Sequence, residues 1–262
     1  MSESSSSRLS VFERFVPILV LISVALAFLV GVLWQKVNTL EKGGTTTVPT
    51  TNTGTAPVAP TVTLDQIKEV FSKNVIKIGD DSRKLLVVEI ADPSCPWCHV
   101  AGGKDTELYS QMGVDASYVA PVPELKKLVD EGKASYAYVY YPGHGNGEMG
   151  TKAMYCANEK GKFWEAHDLI MSNAGYNLLN NTVKNDKAQS GKMADFLKGV
   201  TDSKAMKDCL DSGKYDSVLA ENSKLGSELG VTGTPSFFLN ATNFPGAVPF
   251  DQMKSAVDEA LK

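Results

Sequence analysis

From Phe15 to Trp34 the chain reads FVPILVLISVALAFLVGVLW, twenty residues without a charge. At about 1.5 Å of rise per helical residue such a run covers about 30 Å, the thickness of a bilayer's hydrocarbon layer. Trp34 stands where an interfacial aromatic belongs, and Lys36 follows it. A cleaved leader is the rival, because Ala25-Leu26-Ala27 resembles a cleavage site. Seven more mostly apolar residues follow Ala27, however, where a cleaved leader turns polar. The pattern therefore predicts one uncleaved transmembrane helix at 15–34, preceded by a short cytoplasmic tail at 1–14. Arg8 and Arg14 before the span and Lys36 and Lys42 after it scarcely orient it. A linker at 35–63 follows. Its residues 43–63 carry no charge and are mostly Thr, Pro, Gly and Ala. Such a segment cannot bury a core and reads as an extended tether reaching about 70 Å.

Beyond the linker the pattern becomes that of a packed domain, 64–262. Thr63-Leu64-Asp65-Gln66 forms a capping box for a helix with Leu64, Ile67, Val70 and Phe71 on one side. A strand is expected near Asn74 to Ile78, then a turn at Asp80-Asp81-Ser82. Leu85 to Ala91, LLVVEIA, is a nearly continuous apolar run between turn residues, the mark of a strand buried on both faces. Asp92-Pro93-Ser94 ends it and Cys95 opens a helix. Ala134 to Tyr141 reads as another strand, and about ninety largely helical residues follow. Tyr215 to Leu229 places Val218, Leu225 and Leu229 on one helical face, with Gly230 as its cap. A strand follows Thr234-Pro235, and Phe250 to Leu261 closes the chain as a helix with Met253, Val257, Ala260 and Leu261 inward. Strands alternating with helices define an α/β fold.

Charge narrows the function classes. The 262 residues carry a formal net charge of −4, with no basic stripe. Nothing suggests a nucleic-acid partner. The chemistry concentrates in IADPSCPWCH, residues 90–99. Cys95 and Cys98 form a CxxC redox pair, half of a zinc site, or, with His99, the C-x-x-C-H of covalent haem attachment. Zinc needs four ligands, and the remaining Cys and His show no paired spacing. A small haem domain has no use for the buried strand before the motif or for TPSFF far after it. A thiol pair at a helix start fits best. Free backbone N–H groups and the positive helix end favour an anion there, and a thiolate is the anion on offer. No metal or cofactor is expected.

The buried strand, CPWC, the long helical insertion, GVTGTPSFF and the closing helix together resemble the DsbA-like branch of the thioredoxin superfamily, and within it membrane-anchored oxidoreductases of the BdbD type. Gly161 to Asp168, GKFWEAHD, and Cys209 to Tyr215, CLDSGKY, add to the resemblance, which covers roughly residues 75 to 262. It implies a thioredoxin-like fold with a helical insertion at about 143–229, and roles for particular residues. Cys95 becomes the exposed attacking sulfur and Cys98 the buried resolving one, with Pro96 and Trp97 tuning them. Glu89, which interrupts the apolar strand, becomes a buried acid that exchanges a proton with Cys98. Thr234-Pro235 becomes a cis-proline turn facing the cysteines, its Thr234 backbone pairing with an extended substrate chain. His144 matches a loop histidine of the family, while His167 reads as structural. His99 either modulates the thiolate by its charge or is a polar residue beside the site. Ala101-Gly102-Gly103-Lys104 departs from the family by interrupting the active-site helix, and the stretch to about Val122 looks inserted.

Cys156 and Cys209 lie in the insertion and are either a structural disulfide or two separate buried thiols. The expected function is an extracytoplasmic protein disulfide oxidase held to the membrane by residues 15–34. Its partners would be reduced, unfolded secreted or surface proteins and a DsbB- or VKOR-like membrane reoxidase. A reductase or isomerase on the same fold is the alternative.

Overall fold

The computed structural model describes residues 62–262. The tail, the span at 15–34 and nearly all of the linker lie outside the described residues. Among the described residues no helix is long and apolar enough to cross a membrane.

Helix α1, Leu64–Val70, starts at the capping box: Thr63 accepts from the Gln66 N–H and the Gln66 side chain accepts from the Thr63 N–H. Its second turn buries Ile67 and Val70, and Phe71 follows. Leu64, expected inward, is exposed, because a helix this short covers the sheet with one turn only. Strand β1 is Ile76–Ile78 and β2 is Leu85–Ala91. After β2 come α2, Pro96–Gly102, α3, Thr106–Gln111, and α4, Pro121–Asp130, before β3, Ala134–Tyr140. The helical segment holds α5, Glu148–Asn158, α6, Phe163–Ile170, α7, Asn173–Asn177, α8, Ser190–Phe196, α9, Ser203–Asp211, and α10, Asp216–Glu228. Strands β4, Ser236–Leu239, and β5, Thr242–Pro245, precede α11, Phe250–Ala260.

The sheet runs β1-β3-β2-β4-β5, with β2 and β3 parallel and every other pair antiparallel. All seven residues of β2 are buried, as are all seven of β3. Alternation along β2 divides them between two cores. Leu86, Val88 and Ile90 face α1, Val231 and Phe238. Leu85, Val87 and Ala91 face the core shared by both cysteines of the CxxC and by the helical segment. Glu89 has the parity of this second set. Sequence patterning had no hold on β5, where Thr242, Asn243 and Pro245 are exposed. An edge strand ending in proline carries no buried alternation to read.

The break after the second cysteine is a helix end. Gly103 adopts φ 70°, a left-handed conformation that terminates α2 after seven residues. A Cβ there would also lie 2.9 Å from both Ala120 and Pro123, so the returning chain packs onto the glycine itself. The segment up to α4 is pinned at both ends. Asp105 caps α3 by accepting from the Leu108 N–H, and the Phe250 N–H at the start of α11 donates to the Val119 carbonyl.

In the helical segment Cys156 on α5 and Cys209 on α9 are joined by a disulfide, Cα atoms 6.1 Å apart, across 53 residues of sequence. A loop of that length loses about 4 kcal/mol of unfolded-state entropy on closure. Replacing both by alanine is expected to lower stability by about that amount in urea unfolding, with the sheet signature retained.

Candidate active site

Cys95 is the N-cap of α2, and Pro96 takes the first helical position, where a missing N–H costs nothing. The Cys98 N–H donates to the Cys95 carbonyl, and the Cys95 N–H to that of Asp92. Both sulfurs are unbonded. Cys95, expected to be exposed, is fully buried. The N-cap position turns its sulfur inward under the Thr234-Pro235 turn, whose peptide bond is cis, and the thiol donates to the Thr234 carbonyl at 3.3 Å. The exposed group of the motif is Trp97, at 43%. Trp97 borders a groove of about 390 Å³ walled by Val114 and Tyr118 of the segment between α3 and α4 and by Pro249 and Asp251.

The two thiols are made unequal by their surroundings. Hydrogen bonding from the Cys98 thiol lowers the Cys95 pKa to about 6 against burial, which raises it. The Thr234 hydroxyl, the Cys98 backbone and the charge of His144 lower it further. Cys98 moves well above the ordinary thiol value: burial disfavours its anion, and the Cys95 thiolate and Glu89 add to this. One sulfur is an anion at neutral pH and the other keeps its proton.

Glu89 lies beneath the pair on β2, paired in register with Tyr138 of β3. It is fully buried, and burial raises its pKa to about 8. The Tyr136 hydroxyl donates to its Oε2, while Oε1 has no hydrogen-bond partner among the described residues. Tyr136 had no signal in the sequence beyond its strand parity.

The residue that sequence reasoning missed is Asp92, which looked like turn punctuation. It is fully buried, and its carboxylate holds three pieces of backbone together. Oδ1 accepts from the Ser94 N–H at 2.8 Å and the Ser94 hydroxyl at 2.7 Å. Oδ2 accepts from the N–H groups of Gly143 and His144 at 2.7 and 2.8 Å. Ser94 in turn accepts from the Asn146 N–H, and Asn180 donates to the Ser94 carbonyl. The loop carrying His144 is thereby fastened beside Cys95. Gly143 is packed so closely that a Cβ would fall 2.3 Å from the Thr234 hydroxyl oxygen. The available signal was an acid directly after a fully apolar strand.

His99 is fully buried, with Nδ1 2.9 Å from the Met171 carbonyl and Nε2 2.8 Å from the Pro93 carbonyl. Burial pushes its pKa down. With both ring nitrogens engaged, it is not free to ligate a haem iron. Among the described residues no three His, Cys, Asp or Glu side chains converge as metal ligands would. His167 is buried among Phe163, Trp164 and Tyr138, away from the motif's hydrogen bonds.

A mixed sheet with an inserted helical segment, and a CxxC at a helix start facing a cis-proline turn, define a thioredoxin-type architecture. The chain belongs to the thioredoxin family: residues 119–259 match the family model described as Thioredoxin. That match starts after the CxxC and so covers the fold and the Thr234-Pro235 turn rather than the cysteines. A relative from Rickettsia conorii, provisionally named a protein-disulfide oxidoreductase, is 25% identical over 198 residues, which cover 72% of this chain and 61% of the relative. The chain thus spans about 61% of that relative's length. Among solved structures, oxidised BdbD from Bacillus subtilis superposes with a TM-score of 0.51 at 21% identity, covering 71% of this chain and 92% of BdbD. Wolbachia pipientis alpha-DsbA1 superposes with a TM-score of 0.55 at 18% identity, covering 72% and 91%. At these identities the structures speak to the fold alone.

Two titrations check this electrostatic picture. Thiolate absorbance of the reduced protein is expected to rise with a midpoint near pH 6. Cys98→Ala, which removes the leading donor, should move that midpoint up by about one unit. Glu89 binds its proton up to about pH 8 when folded and, when unfolded, only to its ordinary value of 4.5. The stability from that proton is complete below pH 4.5 and is lost as pH rises to about 8. Urea unfolding should therefore show Glu89→Gln gaining on the wild type across that window, by at most about 1.4 kcal/mol per pH unit.

Proposed function

We propose that this protein is an extracytoplasmic thiol–disulfide oxidoreductase, anchored in the membrane by residues 15–34, that works as an oxidase of secreted or surface proteins. The observation that carries the reading is the unequal sulfur pair: Cys95 drawn down to about 6 and Cys98 pushed up, both beneath the Thr234-Pro235 turn. In the oxidised enzyme a substrate thiolate attacks Cys95 and expels Cys98, forming a mixed disulfide. Cys98 leaves as an anion that its buried surroundings disfavour, and Glu89, holding a proton up to about pH 8, can supply one. The second substrate thiol then attacks its own mixed-disulfide sulfur. Cys95 departs readily, because a thiol of low pKa leaves faster. The Thr234 carbonyl beside Cys95 is the backbone group against which a substrate strand would align.

The direction of flux follows from the same asymmetry. At pH 7 a fall of the Cys95 pKa from 9.0 to about 6 favours the reduced form about tenfold. For a two-electron couple that raises the potential by about 30 mV. An enzyme whose reduced form is favoured gives its disulfide away. Its reoxidation would fall to a membrane partner of the DsbB or VKOR kind, and the outward placement of residues 64–262 belongs to the same proposal. Pro96 and Trp97 complete the site as read from the sequence, and the Cys156–Cys209 bridge staples the helical segment.

Equilibration with glutathione tests the oxidase reading. The potential is expected above about −180 mV, whereas a value near thioredoxin's, about −270 mV, turns the protein into a reductase. With reduced, unfolded ribonuclease-type substrate, Cys95→Ser is expected to abolish disulfide formation, and so is Cys98→Ser, which has no Cys95–Cys98 bond to give away. Turnover retained in Cys95→Ser sinks the catalytic assignment.

A further inference from the structure

His99 occupies a site built for a cation. Both of its ring nitrogens point at backbone carbonyls, Met171 at 2.9 Å and Pro93 at 2.8 Å. A carbonyl oxygen only accepts, and a neutral imidazole has one N–H and one lone pair. In the neutral ring one of the two carbonyls therefore faces a lone pair, and only imidazolium satisfies both. A counter-charge is in place: Asp105 Oδ2 lies 3.8 Å from Nδ1, fully buried and without a hydrogen-bond partner among the described residues. Its other oxygen is taken by the Leu108 N–H and by Asn173.

Burial opposes the charge, as does any charge on His167. Tyr176 stands edge-on at 5.0 Å, and its own pKa is raised by burial first and then by charge on Cys95 and Asp105, so it lies within the reach of both ends of the site. On its own helix His99 sits one turn from Cys95, its N–H donating to the Cys95 carbonyl at 3.3 Å, and directly follows Cys98. Residues at that spacing share a helix face. A negative charge on Cys95, one turn away on the same helix, would favour the ring's cation over the burial that opposes it.

We propose that His99 is the second proton acceptor of the redox reaction, neutral while Cys95 and Cys98 are joined and imidazolium once reduction leaves Cys95 as a thiolate. The inference rests on the oxidoreductase reading above. A substrate dithiol loses two electrons and two protons: its two S–H bonds break and one S–S bond forms. The Cys95–Cys98 bond breaks in exchange. One proton goes to Cys98, and the other, which Cys95 does not keep at neutral pH, goes to the His99 ring. The reduced site then holds thiolate and imidazolium together and adds no net charge to the interior. His99 is a positioning residue for charge: it touches neither sulfur in the hydrogen-bond pattern and acts through the field at Cys95.

The exchange equilibrium with glutathione counts these protons. Two glutathione thiols release two. If reduced protein retains both, the equilibrium constant is independent of pH; if it retains only the one on Cys98, the constant rises tenfold per pH unit. Between pH 6.5 and 7.5 the wild type is expected to change less than twofold, and His99→Asn about tenfold, toward the reduced protein at higher pH. Repeating both in a Glu89→Gln background removes the other buried acid as a proton source. Should His99→Asn fail to fold, ¹⁵N spectra of the wild-type ring decide alone. They are expected to show neutral imidazole when oxidised, imidazolium when reduced, and neutral imidazole in reduced Cys95→Ser. A tenfold slope in the wild type, or one ring state in both redox forms, overturns the proposal. A protein that does not exchange with glutathione at all overturns the oxidoreductase reading instead.

Discussion

Strand β2 is buried on both faces, and the active end of the molecule inherits its geometry from that fact. With a core on each side, the strand cannot slip by one residue without driving an entire hydrophobic set into the wrong core. Its parity is therefore rigidly held. Glu89 is kept on the face of the two cysteines, and the chain leaves the sheet at Asp92 in one direction only. Cys95 follows three residues later as an N-cap, in a position set by the sheet rather than by the seven-residue helix it begins.

Around that strand the protein assembles an unusual amount of buried polar chemistry: Glu89, Asp92, His99 and Asp105 are all fully enclosed. Each is treated differently. Asp92 is saturated, with two donors on each oxygen, three backbone N–H groups and one hydroxyl in all, and such a side chain works as a rigid fastener. Glu89 has a single donor, and burial raises its pKa to about 8. Asp105 has one oxygen without a hydrogen-bond partner among the described residues, a costly condition in a buried core. The degree of satisfaction separates Asp92 from Glu89 and Asp105.

The segment between α2 and α4 shapes the surface as well as this interior. Gly103 ends α2 after seven residues, and the returning chain is tied to α11 through Val119. The result is a groove that begins at Trp97 and has no counterpart in the pattern of the sequence. The same segment delivers Asp105 to His99, so it bears on both the outer surface and the buried site.

The alternating and continuous apolar runs were sufficient for β2, β3, α1, α10 and α11, because burial against a sheet imposes a period that any reader can detect. The CxxC, the acid within β2 and the distant Thr-Pro were equally legible, since each is a local departure from such a run. What one dimension could not contain was direction and partnership. Whether the Cys95 sulfur faces solvent or the Thr234 carbonyl depends on a turn 139 residues away. Asp92 reads as a turn residue until Gly143 and His144 arrive to donate to it, and His99 reads as a polar neighbour until two carbonyls close on its ring. Periodicity reports which residues avoid water; only the folded chain decides which polar groups, once out of water, meet one another.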